Sequence, residues 1–524
     1  MNFFSTNSEV SRSFFYSKIQ EKENKLFWAF MAIYFIVMAF LCFRMDIWQD
    51  EAYSLSTTAN PIKEIVHLSY NFEAQPPVYF ILLGLWRQIS DSIFFSRFLS
   101  LIFILFSAFL LDKTASLVFN HLRSKWLVVI FLLNPYTIWA GLEIRLYAFL
   151  IFLSFLQIYL FEVSFFKKRK TLPILYVLVG VIGVYTQYYF VFLLLALSLL
   201  LLIRRGWTSF FRIALWTLPV AISFIPNLFF IADQLEMHND AELAISLYSK
   251  LRNVLASPFD LLVRIGDVTH TERLVGWFVR LFFLTFFFAS IVELYKKFKD
   301  NKLTDSIAVF EILIPILAVL SVFILMSLTT DIVYASRYMT VIFPFFSLLF
   351  SVFFVLKKSI QTLIFGVLTM YFISVSFYFY GPPFIKTENN LSLEKYIKRI
   401  EKSDEPILFH EKDIVLSFKH FYKGKNNLIP IPKIKFNFDY YNQELKDTIE
   451  FKKQLDQYVA NKKSFILVTG NEWAFTHEIE LTSSMIDEFI GNNYEIASDT
   501  TISGMKKADD LRVRRLQSKR TTLY

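Results

Sequence analysis

The sequence predicts an α-helical polytopic membrane protein that ends in a small α/β domain. Of the 524 residues, 55% are hydrophobic and 19% aromatic, and the mean hydropathy is +0.45. A soluble domain does not have this composition. Apolar runs close to the roughly 20 residues that a membrane-crossing helix needs recur up to Tyr380. Beyond Tyr380 the chain is richer in charge and has no run long enough to span.

Eleven apolar segments are predicted to cross the membrane. The fifth and sixth are separated only by a short polar and aromatic stretch, residues 187–189. The segments run from Leu26 to Phe43, Ile93 to Leu111, Trp126 to Leu142, Tyr147 to Phe166, Leu172 to Phe190, Val191 to Ile203, Phe210 to Ile231, Leu274 to Tyr295, Ile307 to Leu328, Tyr338 to Leu356 and Ile360 to Tyr380.

The charges between these segments predict the orientation. Lys and Arg cluster in the N-terminal tail, residues 1–25, and in every second connection after it. Cytoplasmic loops are enriched in these residues, so the net charge of +9 indicates topology and not nucleic-acid binding. The long connections 44–92 and 232–273 and the whole of residues 381–524 then lie outside the cytoplasm. The first segment lacks a small-residue cleavage site, which predicts a retained signal anchor.

The chain divides into a transmembrane domain, residues 26–380, and an extracytoplasmic α/β domain, residues 381–524. In the second domain Ile407 to His410 and Ser464 to Thr469 have the pattern of short buried strands. Helical spacing of apolar residues follows in Asp413 to Tyr422, Asp447 to Ala460 and Ser483 to Ile490. The basic terminus, Lys506 to Tyr524, is predicted to be frayed or to lie near anionic lipid headgroups.

The first external loop contains the most informative acids. Asp50 and Glu51 come a few residues after the first span. Asn60-Pro61 then supplies a helix N-cap and a first-turn proline, and the apolar spacing that follows predicts a helix lying in the interface. Gln75-Pro76-Pro77 ends that helix. The loop should therefore form a platform that holds Asp50, Glu51 and Glu73 at headgroup depth. A solvated acidic pair at a helix end would have the same local sequence.

Several short motifs occur in an order that resembles a known family. The motifs are Asp50-Glu51-Ala52-Tyr53, Pro76-Pro77-Val78-Tyr79, Arg97, Glu143-Ile144-Arg145-Leu146-Tyr147 and Arg337-Tyr338. Together they resemble those of the GT-C integral-membrane glycosyltransferases, in particular the bacterial branch of family 39 that includes protein mannosyltransferases and aminoarabinose transferases. The similarity extends from about Leu26 to Pro344.

This resemblance implies a GT-C fold and a transferase of the cell envelope. Such a hexosyl- or pentosyltransferase uses a polyprenyl-phosphate sugar as donor. It transfers the sugar with inversion of the anomeric configuration, on the non-cytoplasmic face of the cytoplasmic (inner) membrane. The acceptor is a hydroxyl of a lipid, glycan or protein. By the same resemblance Asp50 is the general base that deprotonates the acceptor. Glu51 is expected to orient Asp50 or to tune its pKa, because neighbouring acids raise one another's pKa.

The resemblance also assigns a donor phosphate site. Arg145 and Arg337 are predicted at external helix ends, where a guanidinium binds phosphate through paired donors. Tyr147 and Tyr338 are candidate hydrogen-bond donors to the same phosphate. Ordinary interface-anchoring side chains would have the same pattern. Arg97 is predicted to be structural and to pair with a loop carboxylate.

One departure from the family concerns the paired prolines. Many relatives have histidine just before them, whereas this chain has Gln75, with Glu73 two residues earlier. In the aminoarabinose branch a second loop acid helps to hold a metal. Glu73 is therefore a candidate for acceptor or divalent-metal binding, and no metal site is predicted with it alone.

Two other classes of membrane protein fit the composition. A transporter or lipid flippase would place functional charges near the middle of the membrane. In this chain Glu311 is nearly alone within a span, and the charged motifs gather at one surface. A polymerase or ligase of polyprenyl-linked glycans would also use arginines and an external loop, but without an aspartate directly after the first span.

Overall fold

The computed structural model describes residues 6–119, 124–167, 172–239, 246–263, 270–299, 304–329, 336–410, 412–431, 448–459, 462–470 and 483–519. The helices of the transmembrane domain are α1 (Thr6–Arg44), α2 (Gln49–Thr57), α3 (Ile62–Asn71), α4 (Val78–Arg87), α5 (Ile93–Val118), α6 (Ser124–Leu133), α7 (Pro135–Leu142), α8 (Tyr147–Phe161), α9 (Leu172–Val184), α10 (Phe190–Arg205), α11 (Trp207–Asn239), α12 (Leu247–Val263), α13 (His270–Lys299), α14 (Thr304–Thr329), α15 (Phe343–Leu349) and α16 (Lys358–Tyr380).

Helices form over all eleven predicted spans. Within the described ranges, eight helical segments are long and apolar enough to cross a membrane, and α6 with α7, bent by 64°, makes a ninth. The difference from eleven lies in α9 and α10, which have 13 and 16 residues and are shorter than a typical spanning helix. The helical structure is interrupted between them at the polar and aromatic residues 185–189. The protein is a multipass membrane protein.

The loop between the first two spans, residues 44–92, is largely helical. Helix α3 begins at Ile62, and its N-cap is Pro61, so the predicted N-cap at Asn60 was wrong. The Asn60 amide instead donates to carbonyl oxygens at the end of α2. Helix α3 buries Ile65 and Leu68, while its opposite face is exposed. Backbone hydrogen bonding of α3 ends before the paired prolines, and α4 follows as a short apolar helix. The loop is therefore three short helices packed against the spans.

The C-terminal domain is built on one five-stranded sheet in the order β2-β1-β3-β5-β4, in which β1 pairs in parallel with β2 and β3, and β5 lies antiparallel between β3 and β4. One face packs on α19 and α20, and the other joins the core of the transmembrane domain. Its elements are α17 (Asn390–Ile400), β1 (Ile407–Phe409), α18 (Lys412–Phe418), β2 (Leu428–Pro430), α19 (Thr448–Val459), β3 (Ser464–Gly470), α20 (Ser483–Asn493), β4 (Tyr494–Ile502) and β5 (Leu511–Ser518).

The prediction of a frayed basic terminus was wrong for residues up to Ser518. Leu511, Val513 and Leu516 of β5 are buried in the sheet. The arginines between them pair with acids of neighbouring elements, as in the bond from Arg515 Nη2 to the Glu405 carboxylate at 2.5 Å, and Arg514 pairs with Asp487. Paired charges let a basic segment occupy an inner strand, and the partner acids lie far away in sequence.

Candidate functional site

Helix α2 separates the two acids that follow the first span. Successive residues of an α-helix point about 100° apart, so neighbours in sequence face different surroundings. The Asp50 side chain is 22% exposed, whereas the Glu51 side chain is completely buried. The structure therefore places the two carboxylates on an open side and a buried side of the same helix.

On the buried side, Glu51 pairs with Arg97 of α5. The guanidinium donates from Nε to Glu51 Oε1 at 3.0 Å and from Nη2 to Oε2 at 2.9 Å. Its remaining donors bind the carbonyl oxygens of Met45 and Asp46 at 2.5 and 2.6 Å. The predicted pairing of Arg97 with a loop carboxylate is confirmed. This fork fixes the end of α1 and the start of α2 against α5.

Lys386 and Glu143 complete the buried cluster, and neither was assigned a role from the sequence. Lys386 Nζ donates to Glu51 Oε2 at 2.8 Å and to Glu143 Oε1 at 2.9 Å. The Trp48 indole donates to Glu143 Oε2 at 2.6 Å. Burial alone would raise the pKa of Glu51, but the charges of Arg97 and Lys386 outweigh it and hold that pKa below its ordinary value.

The open side of α2 faces a second group of predicted site residues. Arg337 Nη1 lies 3.4 Å from Asp50 Oδ2, and the Arg337 side chain is 37% exposed. The Arg337 guanidinium carbon is 5.7 Å from the centre of the Tyr338 ring. Tyr147 lies within electrostatic reach of both Arg337 and Asp50. A carboxylate and a cation thus face each other at a surface that solvent reaches.

Arg145 links the open side to Glu73. Its Nη1 donates to the Asp50 backbone oxygen at 3.2 Å, to Ser54 Oγ at 3.0 Å and to Glu73 Oε2 at 2.5 Å. Thr57 donates to the other oxygen of Glu73 at 3.1 Å. Burial raises the pKa of Glu73 even though Arg145 opposes the shift. Conversely, the pKa of Arg145 lies well above its ordinary value because Glu73 and Asp50 outweigh the effect of burial.

The structure thus brings Asp50, Arg145, Arg337, Tyr147 and Tyr338 together, with Glu73 behind Arg145. Glu51 lies on another face of α2, where Arg97 binds it. Its role in orienting Asp50 or tuning the pKa of Asp50 stays a prediction. The sequence carried Glu143 within the family motif but gave no signal for its partner Lys386, which lies more than 240 positions away.

Metal binding was left open for Glu73. Across the described parts of the chain, no group of three or more His, Cys, Asp or Glu side chains could hold a metal ion. Both Glu73 oxygens accept hydrogen bonds from protein donors. A role for Glu73 in binding a metal or an acceptor stays a prediction.

The fold matches that of ArnT from Cupriavidus metallidurans. The crystal structure of ArnT in the apo state aligns with a TM-score of 0.57 and 9% identity, covering 95% of this chain and 98% of ArnT. ArnT bound to undecaprenyl phosphate aligns with a TM-score of 0.53 and 9% identity, over 93% and 97% of the two chains. No family model and no curated protein matches the sequence. The likeness shows a GT-C fold for this chain, and the family 39 assignment stays a prediction.

Proposed function

We propose that this protein is an inverting glycosyltransferase that moves a sugar from a polyprenyl-phosphate donor to a hydroxyl acceptor on the non-cytoplasmic face of the membrane. The observation that carries the proposal is the partly exposed Asp50 carboxylate facing Arg337, where the loop after the first span meets the start of a late span. The undecaprenyl phosphate bound by ArnT, which has the same fold, supports a polyprenyl-phosphate donor.

In the proposed reaction the acceptor oxygen forms a bond to the anomeric carbon of the donor. The bond between that carbon and the phosphate oxygen breaks, and the phosphate leaves with the electron pair. Asp50 takes the acceptor proton, because a hydroxyl has a far higher pKa than a carboxylate and must lose its proton as the bond forms. Arg337 stabilises the charge that develops on the leaving phosphate.

The two arginines have different roles in this proposal. Arg337 makes one long contact with Asp50 and is partly exposed, so an entering phosphate can replace that contact. Arg145 is only 9% exposed and its Nη1 serves three protein oxygens, including the Asp50 carbonyl. Its buried Nε has no hydrogen-bond partner. Arg145 therefore orients α2, and it contributes its positive charge to donor binding beside Arg337.

The function is tested by offering the purified protein, in lipid nanodiscs, a panel of polyprenyl-phosphate monosaccharides with acceptor lipids and glycans. We expect release of polyprenyl phosphate together with a glycosylated acceptor of inverted anomeric configuration. Transport of an intact polyprenyl-phosphate sugar across a vesicle membrane, without any phosphate release, would instead identify a flippase and overturn the proposal.

The proposed orientation places the active site and the C-terminal domain outside the cytoplasm. Single cysteines at exposed Asn492 and Lys299 test this in a Cys42→Ser background. An impermeant thiol reagent applied to intact cells with a permeabilised outer barrier should label the cysteine at position 492 but not the one at 299. The reverse pattern would overturn the orientation.

A further inference from the structure

The chain segment that joins the two domains contacts the start of α2 and the residues before it. This linker, residues 381–389, follows α16 and leads into α17. The Asp46 backbone N–H donates to the Phe384 carbonyl at 2.8 Å. The Asp46 carboxylate accepts from the backbone N–H of Asn390 at 2.9 Å and from its side-chain amide at 3.3 Å. Hydrogen bonds therefore join the segment between α1 and α2 to Phe384 within the linker and to Asn390 directly after it.

Lys386 lies between these two attachment points and points into the buried charge cluster. Only 8% of its side chain is exposed. Besides the two carboxylates it binds the Leu142 carbonyl at 3.0 Å. Its three ammonium donors therefore reach α2 through Glu51 and the end of α7 through Leu142 and Glu143.

The same cluster contacts the backbone beside both proposed site residues. Glu51 follows Asp50 directly, and its Oε1 accepts from the backbone N–H of Ile144 at 3.0 Å. Arg145 is the next residue. Arg97 and Lys386 carry two positive charges and Glu51 and Glu143 two negative ones, so the charges of this almost fully buried cluster balance. A buried charge without its partner costs far more than a balanced set.

We propose that Lys386 is a positioning residue through which the interdomain linker holds Asp50 and Arg145 in their relative arrangement. Its ammonium group joins the two segments that carry those side chains and neutralises the second of the two buried carboxylates. The inference rests on the proposed function for the roles of Asp50 and Arg145, whereas the structural coupling does not. The C-terminal domain thereby becomes part of the transferase site without supplying a reacting group.

Charge balance makes the inference testable through pH. In Lys386→Met, Glu51 and Glu143 face Arg97 alone, and one carboxyl must take up a proton to restore neutrality. The cluster is then intact at low pH and is disrupted as the pH rises. Other titratable groups face this cluster from adjoining segments, and their influence is common to all variants: Cys42 and Asp46 near Arg97, and Tyr79 near Glu51.

The activity test uses the donor that gives turnover in the panel above. For Lys386→Met we expect kcat to fall about 10- to 100-fold, since small displacements of reacting groups cost up to about 100-fold. The change in KM should be much smaller, and the optimum should move to lower pH. Adding Glu143→Gln restores neutrality and should recover part of kcat. Lys398→Met, an exposed lysine on α17, is the matched control and should behave as wild type.

Hydrogen exchange provides a readout that does not need turnover. Peptides covering residues 46–57 and 142–146 should exchange faster in Lys386→Met than in wild type or Lys398→Met, while β3 stays unchanged. If no donor reacts with the wild type, the proposed function fails. Hydrogen exchange then still tests whether Lys386 couples the linker to residues 46–57 and 142–146. Unchanged exchange with wild-type kcat and pH profile would overturn the inference. So would a double variant that recovers nothing or does not fold.

Discussion

Asp50 and Glu51 are adjacent in sequence, but their side chains have very different surroundings. Among the described residues, the Asp50 carboxylate has one ion pair, to Arg337 at 3.4 Å, and its side chain is partly exposed. Glu51 has both oxygens bound at 2.8 to 3.0 Å by Arg97, Lys386 and the Ile144 backbone, and none of it is exposed. One short helix thus presents a loosely held carboxylate to one region and an immobilised carboxylate to another.

This difference indicates that the two carboxylates have different roles. A general base needs room for an incoming hydroxyl and freedom to accept a proton, which the open side provides. A fully bound buried carboxylate provides neither, but it holds the backbone in place, because every shift of α2 would break several charge-assisted hydrogen bonds. The buried region preorganises the open one, and substitutions in the two regions should therefore have different consequences.

The largest expected effect on turnover comes from Asp50→Asn. It removes the proton acceptor while keeping the shape of the side chain, and general-base catalysis contributes about 100- to 10,000-fold. We expect kcat to fall by that range with little change in the unfolding midpoint. Glu64→Gln, which alters an exposed acid of the same loop, is the control. Turnover by Asp50→Asn at the wild-type rate would remove Asp50 from the base role.

Glu51→Gln, unlike Asp50→Asn, should lower the stability of the folded protein. It leaves Arg97 and Lys386 facing Glu143 alone, and breaking a buried ion pair costs about 3 to 5 kcal/mol. We expect a clearly lower unfolding midpoint in detergent, measured by intrinsic fluorescence, beside an unchanged midpoint for Asp50→Asn. A Glu51→Gln protein of wild-type stability that has no turnover would show that Glu51 takes part in the chemistry.

Replacing Arg337 tests the cation on the open side. Arg337→Met removes charge stabilisation of the leaving phosphate, and loss of one such donor costs about 100-fold or more in kcat. Arg337→Lys keeps the charge but not the paired donors and should lie between wild type and Arg337→Met. Arg212→Met, at an exposed arginine of α11, is the control. Equal kcat/KM in Arg337→Met and wild type would exclude Arg337 from donor binding.

The smallest effect concerns pH and the buried region. Burial raises the pKa of Asp46 to about 7, above its unfolded value of about 3.9. The folded state therefore binds this proton more tightly, and the stability it contributes is complete below pH 4 and is lost as the pH rises through about 7, by at most about 1.4 kcal/mol per pH unit.

Thermal unfolding between about pH 5 and about pH 8 measures this loss. The unfolding midpoint of the wild type should decline across the range, and that of Asp46→Asn should decline less steeply. Asp404→Asn, at an exposed position of the C-terminal domain, should keep the wild-type slope. Identical slopes for wild type and Asp46→Asn would show that Asp46 does not titrate in this range.

The local features of the fold were predictable because each depends on neighbouring residues. The spans follow from apolar length, and helix α3 follows from its apolar spacing, from Pro61 at its start and from the paired prolines beyond its end. Strand β5 was missed because its arginines are tolerated only through partners such as Asp487 and Glu405, which are distant in sequence. Lys386 was missed for the same reason, since a lone lysine after the last span gives no indication of its partners.

The sequence by itself determined that the chain is a multipass membrane protein and that Asp50 and Glu51 open a structured loop between the first two spans. Apolar length, charge position and turn residues act locally, so they can be recognised in one chain. Only the tertiary structure decided that Asp50 faces Arg337 while Glu51 is bound between Arg97 and Lys386. The physical reason is that a side chain's exposure and charge partners depend on which distant segments pack against it.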